Sequence, residues 1–178
     1  AGCRVAMEKN FAEGYAVRLP AEALSDDAYY LPVFAVKKKW SEKLRMVFDA
    51  AARYRGKCLN DAIYTGPSLQ NPLPRVLLRM REYDVAWAAN IGAMYSRFRL
   101  RPEDRQFHRF LWPEEDGTTS VCEFQRLTFG VSSAPFVALQ MLRRIAEDAG
   151  PGMREAAQAI IDDLYMDDFL SSAKSAER

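Results

Sequence analysis

Residues 160–170 read Ile160-Ile161-Asp162-Asp163-Leu164-Tyr165-Met166-Asp167-Asp168-Phe169-Leu170, a run in which two adjacent carboxylates follow an apolar segment and precede another. Successive side chains on a strand point to opposite faces, so adjacent aspartates inside one pack poorly. At the bend of a β-hairpin the conflict disappears. Tyr165-Met166 then leads in, Phe169-Leu170 leads out, and Asp167 and Asp168 occupy a tip where a hard cation is held by oxygen ligands. The plain alternative is a pair of ordinary turn acids.

Upstream, Val85 to Ile91 (VAWAANI) is short, apolar on both faces and reads as a central strand. Phe107–Trp112 and Val121–Leu127 read as strands joined by the polar turn Glu114-Glu115-Asp116-Gly117. Phe129 to Pro135 is a loop entering a helix. Ser133 suits its cap, Pro135 its first turn and Gly150 its end, with Phe136, Leu139, Leu142, Ile145 and Ala146 as its buried stripe. A further helix is predicted from Met153 to Ile161 on Met153, Ala156, Ala157 and Ile160, with Asp162 and Asp163 as surface groups at its end. Leu73, Val76, Leu77 and Met80 repeat at helical spacing, and Pro72 and Pro74 fit only the first turn of that helix.

Toward the N-terminus, Tyr29–Val36 and Leu44–Phe48 form a predicted hairpin whose loop carries Lys37, Lys38 and Lys39, while residues 1–28 read as a weakly helical or irregular lead-in. Strands followed by helices, with no internal repeat, predict an α+β domain in which an antiparallel sheet is backed by helices. The lead-in 1–28 and a polar tail 173–178 flank the rest of the chain.

The chain of 178 residues is long enough for a buried core, and its 25 Lys and Arg nearly balance 24 Asp and Glu. The distribution is uneven: residues 37–57 are basic and residues 147–168 acidic. A basic half and an acidic tip suit a protein that handles a polyanion with a divalent metal; charge balance on a solvated surface is the simpler reading. No apolar run approaches 18 residues, so no membrane association is expected. Cys3, Cys58 and Cys122 are unclustered, and the one histidine, His108, has no ligand-spaced companions, which predicts no zinc site and a reducing, intracellular setting in cytoplasm or nucleus. Cys58 and Cys122 are expected to be buried small hydrophobes and His108 to be structural.

Taken together, YLPVFAVKKKWSEKLRMVFDAAARYRGKCLNDAIYTGPSLQNPLPRVLLRMRE, FGVSSAPF and YMDD, in this order, resemble the fingers and palm of reverse transcriptases of the BEL/Pao class of LTR retrotransposons, over nearly everything from Tyr29 to Ser172. The resemblance implies a right-hand polymerase fold of which this chain supplies fingers (29–84) and most of the palm (85–172). A thumb, connection and ribonuclease H region are expected after it, and a protease before it. It also implies RNA-directed DNA synthesis on a primer–template with deoxynucleoside triphosphates. By position, Asp167 matches the metal-binding aspartate of the catalytic hairpin, with Asp168 beside it. Tyr95 matches the aromatic beneath the incoming sugar, and Gly130 the loop lining nucleotide and template. Lys38 and Arg45 match fingers residues that contact the triphosphate.

Such enzymes add nucleotides by in-line phosphoryl transfer clamped by two Mg²⁺ ions about 3.5–4 Å apart, with carboxylates from separate strands as ligands. The family motif begins with an aspartate at the end of a central strand. Here the matching string is Asn90-Ile91-Gly92-Ala93-Met94-Tyr95, so Asn90 stands where the carboxylate is expected. An amide oxygen carries no formal charge and its NH₂ opposes a cation. The neighbours Ala88, Ala89, Ile91, Gly92 and Ala93 supply no substitute, and Asp84 lies at the strand's far end. Weak binding of Mg²⁺ or Mn²⁺ and weak or absent nucleotidyl transfer are therefore expected. Two functions follow: a reverse-transcriptase core fragment, or an inactive retroelement-derived module that binds nucleic acid or protein. A truncated palm sheet would expose Phe169–Ser172 as an edge and favour a protein partner or self-association.

Overall fold

The computed structural model describes residues 2–37 and 44–176, which form α+β structure with antiparallel sheets and helices. They divide into two compact units, Ala1–Thr65 with Tyr95–Ala134, and Gly66–Met94 with Pro135–Arg178.

In the first unit, α1 (Gly2–Ala12) precedes β1 (Ala16–Leu19). The lead-in expected to be weakly helical or irregular thus opens with a helix but also contains a strand, which pairs antiparallel with β6 (Thr119–Phe124) from Ala16 opposite Phe124 to Leu19 opposite Val121. Four residues are too few to display a period of two, which is why the pattern was silent. On its other side β6 pairs with β5 (Arg109–Pro113). As the middle strand, β6 buries Val121, Cys122, Glu123 and Phe124 in succession, whereas β5 alternates and buries only Phe110 and Trp112. The buried Glu123 is neutralised by Arg109, Nε to Oε2 at 2.9 Å. β2 (Val33–Lys37) and β3 (Leu44–Phe48) form the expected hairpin, Val33 opposite Phe48. Phe48 closes the core edge-on against Phe124 (4.6 Å between ring centres) and Phe110 (5.1 Å). Pro102–His108 is 3₁₀-helical, so the strand predicted from Phe107 begins only at Arg109. α2 (Leu59–Ala62) is a single turn within an otherwise irregular stretch.

The second unit holds a three-stranded antiparallel sheet in the order β4 (Val85–Asn90), β8 (Asp168–Ala173), β7 (Leu164–Tyr165). The strand VAWAAN, expected at the sheet's centre, lies at its edge, and among the described residues only β8 pairs with it. Its small alanines leave it exposed along most of its length, and Trp87 gains cover by stacking on Phe169 at 5.6 Å. Phe169–Ser172, expected to form an open edge, lie inside β8 and pair with β4 throughout.

Three helices accompany this sheet: α3 (Leu73–Arg79), α4 (Ala134–Glu147) and α5 (Arg154–Asp162). Pro72 caps α3 and Pro74 sits in its first turn, where a missing N–H costs nothing. On α4, Ala138, Leu139 and Ala146 are buried as the helical period requires, but Ile145 is 53% exposed, one step off the stripe. Met153 lies in a 3₁₀ turn before α5 and is exposed, as is Ala156. Asn71 bridges the elements by donating Nδ2 to the carbonyls of Ile161 (2.8 Å) and Leu164 (3.1 Å). Gly66 has φ +80° and packs so closely on Phe136 that a Cβ would lie 2.5 Å from its ring. Among the described residues no helix is long and apolar enough to cross a membrane.

Candidate functional site

The hairpin tip is built by a two-residue bend. Tyr165 pairs with Asp168, leaving Met166 and Asp167 to turn the chain, and Met166 adopts the left-handed conformation at φ 57°. A side chain with a Cβ is strained there by roughly 1–2 kcal/mol. The surrounding hydrogen bonds hold it.

Those bonds come from the end of β4. The register runs from Val85 opposite Ala173 to Asn90 opposite Asp168, which brings the strand's last residue to the hairpin tip. The backbone N–H of Ile91 donates to the Asp167 carbonyl at 2.8 Å, and Asn90 Nδ2 donates to the same oxygen at 3.2 Å. Asn90 Nδ2 also donates to Asp168 Oδ1 at 2.9 Å. Asn90, Asp167 and Asp168, far apart in sequence, are therefore neighbours. Asn90 and Asp168 are exposed and Asp167 is half-buried.

The tip is anchored from behind by a buried carboxylate. Asp163, expected on the surface, is 3% exposed. Its Oδ1 accepts Arg79 Nε at 2.6 Å, its Oδ2 accepts the Ser171 hydroxyl at 2.6 Å, and its carbonyl accepts the Leu170 N–H at 3.1 Å. Arg79 and Ser172 are tied in turn, with the Ser172 hydroxyl donating to the Arg79 carbonyl at 2.8 Å. Asp163 raises the Arg79 pKa through its hydrogen bond, outweighing desolvation. Asp162 accepts Arg75 Nη2 at 2.7 Å. α3, the end of α5 and β8 are thus joined by charge. Sequence reading missed this set because nothing local distinguishes Asp163 from Asp162. The basic face of α3, carrying Arg75 and Arg79 one turn apart, was the available signal.

The remaining candidates lie in the first unit, apart from Lys38, which falls outside the described residues. Arg45 is exposed on β3 opposite Val36. Tyr95 is 7% exposed in a 3₁₀ turn and meets Phe129 edge-on at 4.6 Å, while Phe129 itself is 60% exposed. Gly130 has φ +92°, and a Cβ there would collide with the Phe48 carbonyl oxygen, so only glycine lets the loop lie against the end of β3. Asn60 pins the loop from both sides. It donates Nδ2 to the Gly130 carbonyl at 3.0 Å and accepts the Ser132 N–H on Oδ1 at 2.8 Å. Sequence reading missed Asn60 too, since an asparagine in a short polar stretch carries no periodic signal.

His108 is buried and its Nδ1 lies 3.1 Å from the Thr128 hydroxyl; burial pushes its pKa down to about 4, so the ring is neutral and structural. Cys58 and Cys122 are buried, and desolvation pushes the Cys122 thiol up to about 12.

Among the described residues no group of three or more His, Cys, Asp or Glu side chains is arranged to hold a metal ion. The set at the tip is two carboxylates and an amide whose N–H is directed at one of them. This set suits a pair of divalent cations poorly, because Asn90 adds no anionic oxygen and directs a donor at one of the two carboxylates. No family model matches the chain.

Proposed function

We propose that this chain is the fingers and palm part of an RNA-directed DNA polymerase related to the BEL/Pao retrotransposon class, with nucleotidyl transfer impaired at Asn90. The observation that carries the reading is the pairing of Asn90 with Asp168, which puts the end of β4 beside the hairpin tip. A palm needs that neighbourhood, because carboxylates from two separate strands must converge on one phosphate-bearing ligand. The left-handed Met166 supports it, since strained backbone is concentrated where function requires a fixed tip. So does the rigid glycine loop at Gly130, pinned by Asn60. In this reading Asp167 and Asp168 are the surviving acidic pair, Tyr95 is the rigid aromatic beneath a sugar, and Gly130 lines the nucleotide. Lys38 and Arg45 counter triphosphate charge, Mg²⁺ or Mn²⁺ is held weakly, and the setting is intracellular, in cytoplasm or nucleus.

The experiment is primer extension on an RNA template with Mg²⁺, comparing the chain with its Asn90→Asp variant, each with a thumb-containing continuation supplied. The chain is expected to extend feebly or not at all, and the variant at least about tenfold faster. Equal, robust extension by both would remove the assigned role of Asn90. No extension and no salt-dependent primer–template binding by either would remove the polymerase reading.

A second reading has its own support. The Asn90–Asp168 hydrogen bond satisfies the tip internally, which favours an inactive nucleic-acid-binding or protein-interaction module. The exposed β4 edge with Trp87 is the surface such a module would offer to a protein partner or a second copy.

A further inference from the structure

We infer that the hairpin tip is closed by an amide–carboxylate hydrogen bond standing in for a divalent cation, so that its stability is independent of metal. The inference follows from the hydrogen bonds themselves and holds whether or not the chain descends from a polymerase.

Consider what Asp168 needs. It opens β8 directly opposite Asn90, so the two side chains sit at the close approach of a cross-strand pair. Two carboxylates at that spacing repel one another and call for a cation between them. Here one partner is neutral, and Asn90 Nδ2 reaches Asp168 Oδ1 at 2.9 Å. A hydrogen bond to a charged acceptor is about twice as strong as a neutral one. The same amide group also reaches the Asp167 carbonyl at 3.2 Å, beside the Ile91 N–H at 2.8 Å. One residue therefore donates to the Asp168 carboxylate and helps to brace the bend after the strained Met166. Asn90 is a structural clasp at a position where a carboxylate would need metal.

The test is thermal melting of the whole chain in EDTA and in millimolar Mn²⁺, together with Mn²⁺ titration followed by electron paramagnetic resonance. The chain is expected to melt at the same temperature in both. Asn90→Asp should melt about 3 °C lower in EDTA and recover in Mn²⁺. It should also bind Mn²⁺ about tenfold or more tighter than the parent chain. Asn90→Ala should lose stability without gaining any response to Mn²⁺. The reciprocal exchange, Asn90→Asp with Asp168→Asn, keeps one amide facing one carboxylate, so it should regain at least half the loss in EDTA. A parent chain stabilised by Mn²⁺ as strongly as Asn90→Asp overturns the inference, as does an exchange variant no more stable than Asn90→Asp. If Asn90→Asp is too unstable to purify, the exchange variant and the parent still decide the matter through their response to Mn²⁺. Expected melting behaviour with neither primer extension nor salt-dependent primer–template binding by the parent chain or Asn90→Asp would overturn the polymerase reading and leave the clasp standing.

Discussion

Replacing Arg79 by Met should destabilise the second unit by removing the partner of the buried Asp163. The Arg79 Nε–Asp163 Oδ1 contact is 2.6 Å, and the side chains are 37% and 5% exposed respectively. Met retains most of the aliphatic stem and removes the charge, leaving Asp163 with the Ser171 hydroxyl as its remaining side-chain donor. Breaking a buried pair from one side costs about 3–5 kcal/mol. Arg79 is more than a third exposed, so water partly replaces it, and screening reduces the figure to about 2–3 kcal/mol. For a chain of this size that is a fall of roughly 5–10 °C in Tm. Thermal unfolding followed by circular dichroism gives the magnitude, and amide exchange over 164–173 gives the location. Faster exchange should concentrate at Leu170, whose N–H bonds to the Asp163 carbonyl. Adding Asp163→Asn removes the orphaned charge and should restore at least half the loss, a coupling that a double-mutant cycle isolates. An Arg79→Met chain within about 0.5 kcal/mol of the parent would refute the reasoning, being the scatter of ordinary surface changes. Equal loss with and without Asp163→Asn would refute it as well.

Gly130→Ala should cost about 2–4 kcal/mol in urea unfolding, because the added Cβ meets the Phe48 carbonyl at φ +92°; an effect below 1 kcal/mol would mean that the loop relaxes freely. Acid should weaken the fold through His108. Its pKa is lowered from 6.5 to about 4 by burial, so the unfolded chain binds the proton first. Stability is then intact above pH 6.5, falls on descent toward pH 4 and flattens below, by at most roughly 3 kcal/mol. A His108→Asn chain should lose this limb of its pH–stability curve. Thiol labelling of the native chain at pH 8 should modify half-buried Cys3 well before Cys122, whose thiolate is suppressed, and before buried Cys58; unfolding should equalise all three.

Much of the local structure was legible because local rules govern it. The hairpin around Asp167, the hairpin of β2 and β3, the polar turn after β5 and the helix after Ser133 follow from side-chain alternation, turn chemistry and proline placement. The bend itself falls on Met166-Asp167, one residue before the expected Asp167-Asp168, because Asp168 pairs with Tyr165 in the strand. The unsuitability of Asn90 as an anionic ligand was equally legible, since an amide has no charge in any fold. Burial was read less well. VAWAAN looked central because it is apolar on both faces, yet alanine is small enough to tolerate an edge, and strand order depends on pairing partners remote in sequence.

Residue chemistry alone determined that the tip carries two acids and that Asn90 brings neither charge nor a substitute carboxylate. Only the tertiary structure decided that Asn90 donates to Asp168, that Asp163 is a buried anchor while Asp162 beside it keeps its Arg75 partner nearer solvent, and that Asn60 holds the Gly130 loop. The physical reason is common to all three. A polar side chain's role is set by which donor or acceptor lies within about 3 Å of it, and for these residues that partner comes from a segment between 70 and 87 positions away.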